Sequence, residues 1–549
     1  MSKRKQAART RPARHDVRAS AAAIPWQAYA CLAVGIAFTS YVRWRYLQLP
    51  LERDEGEFGY IAQNILRGAS PFEAYIYKLP GVPYFYALFM GVFGQTIAAI
   101  HLALLGANLG TSLILFFCAR RLMNSYGAAF AAVTYSLFSL DYTVLGTAAH
   151  ATQFVNLFLV AGLWLLLRPA RNLWSVSAAG LMMGMAFIMK QPALLFVLFG
   201  ALLLLSAHWT DTGAVRIRTL TRMTGYALGA VVPYLMLVLI AIRHGHFDLF
   251  WKWTVTYPAL YISTISPNQG WENFAVVSGE IVGRFPLLWC ASAVGFAVLV
   301  LSSKLEATNR IAVAGLSLLS FLAIVPGYYF HHHYFILLLP AASICVGGAF
   351  VAIPRLYGRK ISAAGFLSAA LFIALAGWGI GAQRGFYFTF SNDEYESFRY
   401  GNNPFREAVA IADYIRSITT EDDRILVLGS EAEIYYYAKR KAASGYLFVH
   451  GLVANHSRNL EMQRELIAEA ERNRPEAMVL CGVQYSWLKQ PDTPDDILHW
   501  FERYSSGFDI VGMVDMLPGG TKYRWGADAA VYTPQADNYL VVYKRKKAD

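Results

Sequence analysis

Two adjacent carboxylates, Asp54 and Glu55, stand just past the first apolar run of the chain, and a lone lysine, Lys78, follows within KLPGVP. Between them Phe58, Tyr60, Ile61, Ile65 and Leu66 recur at amphipathic spacing, which predicts a short helix along a surface, with a turn at Gly68 to Pro71. A carboxylate held at a water–lipid boundary can act as a general base on an attacking hydroxyl. A fixed ammonium can stabilise charge growing on a departing phosphate. The plainer readings are a helix end with a solvated turn for the acidic pair, and a lysine snorkelling to lipid phosphate for Lys78. Lys190, in MKQP between two apolar runs, carries the same two readings. His331, His332 and His333 precede another run, in HHHYFILLLP. Three consecutive histidines do not share one helix face, so a tridentate metal site would need an irregular loop. Hydrogen bonding to a lipid phosphate and interfacial packing are the other readings. Asp141 and His150 flank the end of an apolar run and form no motif by themselves.

The elements that must position these residues are membrane spans. The 549 residues are 56% hydrophobic and 15% charged, where a soluble globular chain has roughly 25% charged residues. Apolar runs of about 20 residues, enough to cross a bilayer core, fall at 26–46, 97–118, 127–145, 152–167, 173–189, 192–207, 224–242, 285–302, 311–328, 334–353 and 361–382. The first run is too long, and lacks the small-residue cleavage site, for a removable signal peptide. A polytopic α-helical membrane protein with about eleven spans is expected. The basic stretch 1–25, with Lys3, Arg4, Lys5, Arg9, Arg11, Arg14 and Arg18, reads as a cytoplasmic tail. With that tail inside, the inner loops hold Arg120–Arg121, Arg168–Arg171, Arg216–Arg222, Lys304–Arg310 and Arg355–Lys360, the positive-inside pattern. This accounts for much of the net charge of +12 without nucleic acid. Asp54, Lys78, Asp141, His150, Lys190, His331–His333 and an aromatic-rich loop at 243–284 then share the outer side. That loop reads as an interfacial aromatic belt or as a lid over a lipid-borne or sugar ligand. The five cysteines are scattered, with neither metal spacing nor a disulfide framework.

From about Gly385 the composition changes. Strands are predicted at 424–430, 477–482, 509–515 and 539–545, and helices at 404–418, 431–439 and 458–473, which makes a small α/β domain with a partly parallel sheet. It has no GxGxxG and no P-loop, so nucleotide binding is unsupported. The organisation expected is a tail at 1–25, a transmembrane domain at 26–384 with a catalytic outer loop at 47–96, and an extracytoplasmic α/β domain at 385–549.

RDEGEFGYIAQNIL (53–66), YKLPGVPYFYAL (77–88), CARRL (118–122), MGMAFIMKQPALLFVL (183–198) and HYFILLLP (333–340) resemble the membrane glycosyltransferases of the GT-C class. The nearest branch is the dolichyl-phosphate-mannose protein mannosyltransferase-like group, which includes bacterial lipid A aminoarabinose transferases. The resemblance implies an inverting glycosyltransferase of the cell membrane. Its donor would be a sugar on undecaprenyl or dolichyl phosphate, and its acceptor a lipid, glycan or protein on the outer face. It implies Asp54 as catalytic base with Glu55 as its acidic neighbour, and Lys78 at donor phosphate. Tyr60, Lys190, His150, His332 and His333 would complete the substrate site. Gln153 stands where relatives often carry a glutamate, so no second carboxylate is assigned. No cofactor is assigned, and a divalent metal lacks local ligand spacing. The alternatives are a transporter or flippase of lipid-linked sugars, for which paired repeats and broken helices are missing, and a non-catalytic envelope scaffold.

Overall fold

The computed structural model describes residues 24–168, 172–206, 214–262, 265–356 and 361–547. The basic tail, Arg171 and Arg359–Lys360 lie outside them. Each of the eleven expected spans coincides with a helix, beginning with Trp26–Arg45 and Ile97–Ala119 and ending with Leu339–Leu356 and Ile361–Ala382. By length and composition five helices can cross a membrane alone, among the described residues. A bent pair, Pro267–Arg284 and Pro286–Leu301, folds back by 101°. The protein is a polytopic helical membrane protein.

Two segments differ from the sequence reading. Residues 243–284, expected as a loop, are mostly helical: Phe247–Trp251, a π-helical turn Lys252–Thr256, Tyr257–Ile262 and Pro267–Arg284. The last of these starts on a Ser266 cap with Pro267 in its first turn, a strong start signal that the aromatic content masked. The segment 47–96 also contains an apolar helix, Gly81–Phe93, which the reading left unassigned.

The C-terminal part is a six-stranded mixed sheet in the order β2-β1-β3-β6-β4-β5. Its strands are β1 Arg424–Leu428, β2 Lys441–Ala442, β3 Ala477–Gly482, β4 Phe508–Leu517, β5 Gly520–Trp525 and β6 Tyr539–Arg545. β1 runs parallel to β2 and β3, and the remaining pairs are antiparallel. The four predicted strands are all present. The missed β5 is a polar edge strand without a hydrophobic run to announce it, and β2 is two residues long.

Docking of this domain onto the first loop positions the site. The helix Arg53–Leu66 begins with a capping box. Glu52 accepts the Glu55 N–H, Glu55 accepts the Glu52 N–H, both at 3.1 Å. Asp54 and Glu55 sit in its first turn, where the helix dipole favours negative charge. Gly56 and Gly59 then face the C-terminal helix Glu433–Ala438. A Cβ on Gly56 would lie 2.4 Å from the Glu433 backbone nitrogen, and one on Gly59 would lie 3.0 Å from the Tyr436 ring. Polar bonds sew the same seam: Arg53 Nε donates to the Ser430 carbonyl at 2.8 Å, and Gln63 to the Tyr436 carbonyl at 3.1 Å. The Leu51 N–H donates to the Tyr437 hydroxyl at 2.7 Å, and the Ala442 N–H to the Tyr60 hydroxyl at 2.8 Å. Glu433 is fully buried here with both carboxylate oxygens unpartnered. Burial and the neighbouring Glu431 push its carboxyl well above the usual range, so it is held neutral.

Gly56→Val should force these two helices apart, because the obstruction is backbone rather than a flexible side chain. The expected cost is about 1–3 kcal/mol, read as a lower melting temperature and as faster proteolytic release of the C-terminal domain.

Candidate active site at the first loop

Lys78 lies between two carboxylates. Its Nζ donates to Asp54 Oδ1 and to Glu57 Oε2, each at 2.7 Å. Asp54 and Glu57 are three apart on one helix, so both reach the same side. Three aromatic rings surround the ammonium: Phe58 at 4.8 Å, Tyr77 at 5.5 Å and Phe448 at 5.7 Å. The lysine arrives there because Gly81 packs closely on the Ile188 carbonyl, 2.4 Å from where a Cβ would be, and because Gln191 donates to the Tyr77 carbonyl at 2.9 Å. Those contacts also bring the turn holding Lys190 alongside.

The Asp54 side chain is 25% exposed and that of Glu57 3%. Burial raises the Asp54 carboxyl, but Lys78 and His150 outweigh it and hold it well below the usual carboxylate range. Burial pushes Glu57 up to about 7 against the pull of Lys78, with Asp54 adding to the rise. The two acids are thus separated, and Asp54 keeps its charge while Glu57 takes up the proton. Flanked by two carboxylates, Lys78 is raised well above the ordinary lysine range, against its burial. In the structure it is engaged by Asp54 and Glu57.

On the opposite side of Asp54 stands His150, the residue before the helix Ala151–Leu166. Its Nδ1 is 3.7 Å from Asp54 Oδ2 and 3.6 Å from Glu52 Oε1, and neither ring nitrogen has a hydrogen-bond partner. Burial lowers its basicity, but Glu52 and Asp54 raise it overall. Burial also pushes Glu52 up to about 7, with His150 opposing. The His333 ring stacks on His150 at 4.1 Å. His333 belongs to a 3-10 turn, His332–Leu338, tied to the His150 helix by Asn156 donating to the Ile336 carbonyl at 2.7 Å. Lys190 completes the cluster: its Nζ lies 4.0 Å over the Tyr334 ring and, among the described residues, makes no ion pair with a carboxylate. Burial brings it down to about 7, with Asp54 raising it and Lys78 lowering it.

Asp54, His150 and His333 each present one ligand atom, all within 4.8 Å of one another. An acid, two imidazoles and the orphaned nitrogens of His150 fit one divalent ion of the kind that accepts nitrogen and oxygen ligands. No short-range spacing announced this set, because its members come from three distant segments.

Other expected residues are elsewhere. Glu55 is buried and turned inward. Its Oε1 accepts the Ala149 N–H at 2.6 Å and contacts His101 Nε2 at 3.2 Å. Ala149 is held again by Tyr86, whose hydroxyl donates to its carbonyl at 2.7 Å. Glu55 therefore fixes the peptide that carries His150 and does not join Asp54 at Lys78. Tyr60 is buried in the domain seam, and His332 reaches outward to Glu280 at 2.9 Å. Asp141 caps its own turn, accepting from Thr143 N at 2.7 Å and Thr143 Oγ1 at 2.6 Å. Gln153 donates to the Ser139 carbonyl at 3.2 Å. The sequence reading missed Glu52, Glu57, Tyr334 and Phe448. The i, i+3 relation of Glu57 to Asp54 was a usable signal; no local pattern announces the others.

Residues 77–237 match the family model described as dolichyl-phosphate-mannose-protein mannosyltransferase. No curated protein matches the chain in sequence. Among solved structures, ArnT from Cupriavidus metallidurans bound to undecaprenyl phosphate is similar, with 14% identity and a TM-score of 0.59 over 95% of this chain and 98% of that one. The Archaeoglobus fulgidus oligosaccharyltransferase in the apo form shows 11% identity and a TM-score of 0.55 over 93% of this chain and 75% of that one. The oligosaccharyltransferase AglB from the same organism, in complex with an inhibitory peptide and a dolichol-phosphate, gives 12% and 0.54. The chain thus resembles GT-C glycosyltransferases of the mannosyltransferase and ArnT type, in a family match over part of its length and in fold over nearly all of it.

If Glu55 positions rather than reacts, Glu55→Gln should weaken two buried bonds. The expected loss is about 1–3 kcal/mol, seen as a lower melting temperature. A catalytic Glu55 would instead lose activity with its melting point unchanged.

Proposed function

We propose that this protein is a polyprenyl-phosphate-sugar-dependent glycosyltransferase that inverts configuration at the transferred sugar. The observation that carries the reading is a partly exposed, ionised Asp54 held between Lys78 and His150, with Lys190 within electrostatic reach and, among the described residues, without a carboxylate ion pair. The family match and the shared fold support it. ArnT binds undecaprenyl phosphate and AglB binds dolichol-phosphate in the structures that resemble this one, and a lipid-linked phosphate donor is the reading we carry over.

In this account the acceptor hydroxyl attacks the anomeric carbon while its proton passes to Asp54. The bond between that carbon and the phosphate oxygen breaks, and its electron pair leaves on the lipid phosphate. A single displacement places the new bond on the opposite face. Asp54 is a weak base, and a weak base suffices, because the hydroxyl becomes acidic only as its bond to carbon forms. Lys78 keeps Asp54 ionised and oriented. Lys190, with the imidazoles of His150 and His333, meets the phosphate charge. A divalent ion held by Asp54, His150 and His333 would supply further phosphate neutralisation. The basic-loop pattern puts this site on the outer face of the cell membrane, with residues 1–25 inside and the C-terminal domain outside.

Asp54→Asn should reduce transfer from an undecaprenyl- or dolichyl-phosphate sugar by about 10²–10⁴-fold, with insertion and melting temperature unchanged. Full activity in that variant would refute the assignment. Lys190 gives a pH test. Its charge is present below about 7 and is lost as pH rises through that value, so binding of undecaprenyl phosphate should weaken between about pH 6 and about pH 8. Lys190→Arg, which stays charged, should flatten that dependence.

A further inference from the structure

The C-terminal domain reaches into the site. Phe448, in the loop after β2, presents its ring 5.7 Å from the Lys78 ammonium that grips Asp54. The loop is pinned at that place by the Tyr75 N–H donating to the Gly445 carbonyl at 2.8 Å. Two residues on, His450 is within electrostatic reach of Asp54 and Arg53, and its ring lies 6.3 Å from that of Phe448. His450 Nε2 sits 3.0 Å from the Tyr485 carbonyl. A carbonyl only accepts, so Nε2 must be the donor, and that fixes the neutral tautomer with Nδ1 as a lone-pair acceptor. Among the described residues Nδ1 has no hydrogen-bond partner. Burial and Arg53 lower this histidine to about 4, so it stays neutral and is too weak a base to compete with Asp54. Tyr485 is 51% exposed beside it.

Nearby cations are already satisfied. Arg53 is paired with Glu431 at 3.2 Å and also donates to Asn403 at 3.3 Å. Lys78 is held by Asp54 and Glu57. The wall therefore offers aromatic faces and a neutral hydrogen-bond acceptor, without free charge. Aromatic faces stack on the C–H faces of sugar rings, and a lone pair orients a hydroxyl.

From this geometry we propose that Phe448, His450 and Tyr485 form an acceptor subsite for a neutral, hydroxyl-rich glycan. Phe448 and Tyr485 stack on its rings, and His450 Nδ1 accepts from a hydroxyl and turns it toward Asp54. This rests on the transferase reading, because it names the acceptor of that reaction. The subsite binds by itself, however, so its test does not depend on turnover.

The test is saturation-transfer NMR on the full-length protein in detergent, with maltose as the glycan probe and a serine- and threonine-rich peptide as the competing probe. Maltose should receive saturation from the wild type, and the peptide none. Phe448→Leu, which keeps bulk but loses the ring face, and His450→Ala should each weaken maltose binding at least about fivefold, the loss of roughly one hydrogen bond or stacking contact. His450→Gln, which keeps an acceptor, should restore most of it. Melting temperatures of all variants identify any that fail to fold, and Tyr485→Ala, on the exposed rim, provides a variant that unfolding does not threaten. Tyr485→Ala should also weaken maltose binding. No transfer to maltose in the wild type, preferential transfer to the peptide, or maltose binding unchanged in the folded variants would overturn the subsite. Asp54→Asn should still bind maltose. Full turnover in Asp54→Asn with maltose still bound refutes the transferase reading and leaves the subsite standing, whereas lost turnover in Asp54→Asn with no maltose binding by the wild type refutes the subsite alone.

Discussion

One ammonium between two carboxylates organises the site. An isolated lysine or aspartate at this depth would lose its hydration without compensation and would neutralise itself. Together, Lys78, Asp54 and Glu57 keep one full negative charge on the more open acid and send the labile proton to the more buried one. Lys190 is held differently: among the described residues it has no carboxylate ion pair, and its ammonium lies over the Tyr334 ring. The two lysines thus belong to separate segments, Lys78 tied to the helix Arg53–Leu66 and Lys190 in the turn after Leu173–Met189.

Around that centre, Glu55 and His150 differ in how complete their partners are. Glu55 has three: the N–H groups of Glu52 and Ala149 and the ring of His101. His150 has none within hydrogen-bond distance, although two acids stand close. Buried polar groups are normally satisfied, so the unsatisfied imidazole marks the place where something other than protein completes the geometry. Adjacent carboxylates in sequence thus have opposite roles, set by which side of one helical turn they occupy.

Much of the scaffold was legible in the sequence. The apolar runs gave all eleven expected helices, and the shift in composition near Gly385 gave four of the six strands. Hydrophobic periodicity is a local signal and survives without tertiary information. The helix Pro267–Arg284 was hidden because aromatic residues on an amphipathic helix read equally well as an interfacial loop. For the site, Asp54, Lys78, His150, His333 and Lys190 were all named and all converge. What the sequence did not carry was direction. Whether Glu55 turns toward Lys78 or away from it, whether His332 or His333 turns inward, and whether Lys78 is free or paired depend on packing between segments that are not adjacent in the chain. Phe448 and His450 lie 370 residues or more from Lys78 in the chain, and no pattern links them.

The seam of Gly56 and Gly59 against Glu433–Ala438 has a consequence for biogenesis. The helix Arg53–Leu66 and the segments holding His150, Lys190 and His333 are all made before the loop that brings Phe448 to Lys78. The cluster around Lys78 is therefore complete only once a segment 370 residues downstream has been synthesised and has packed against the first loop.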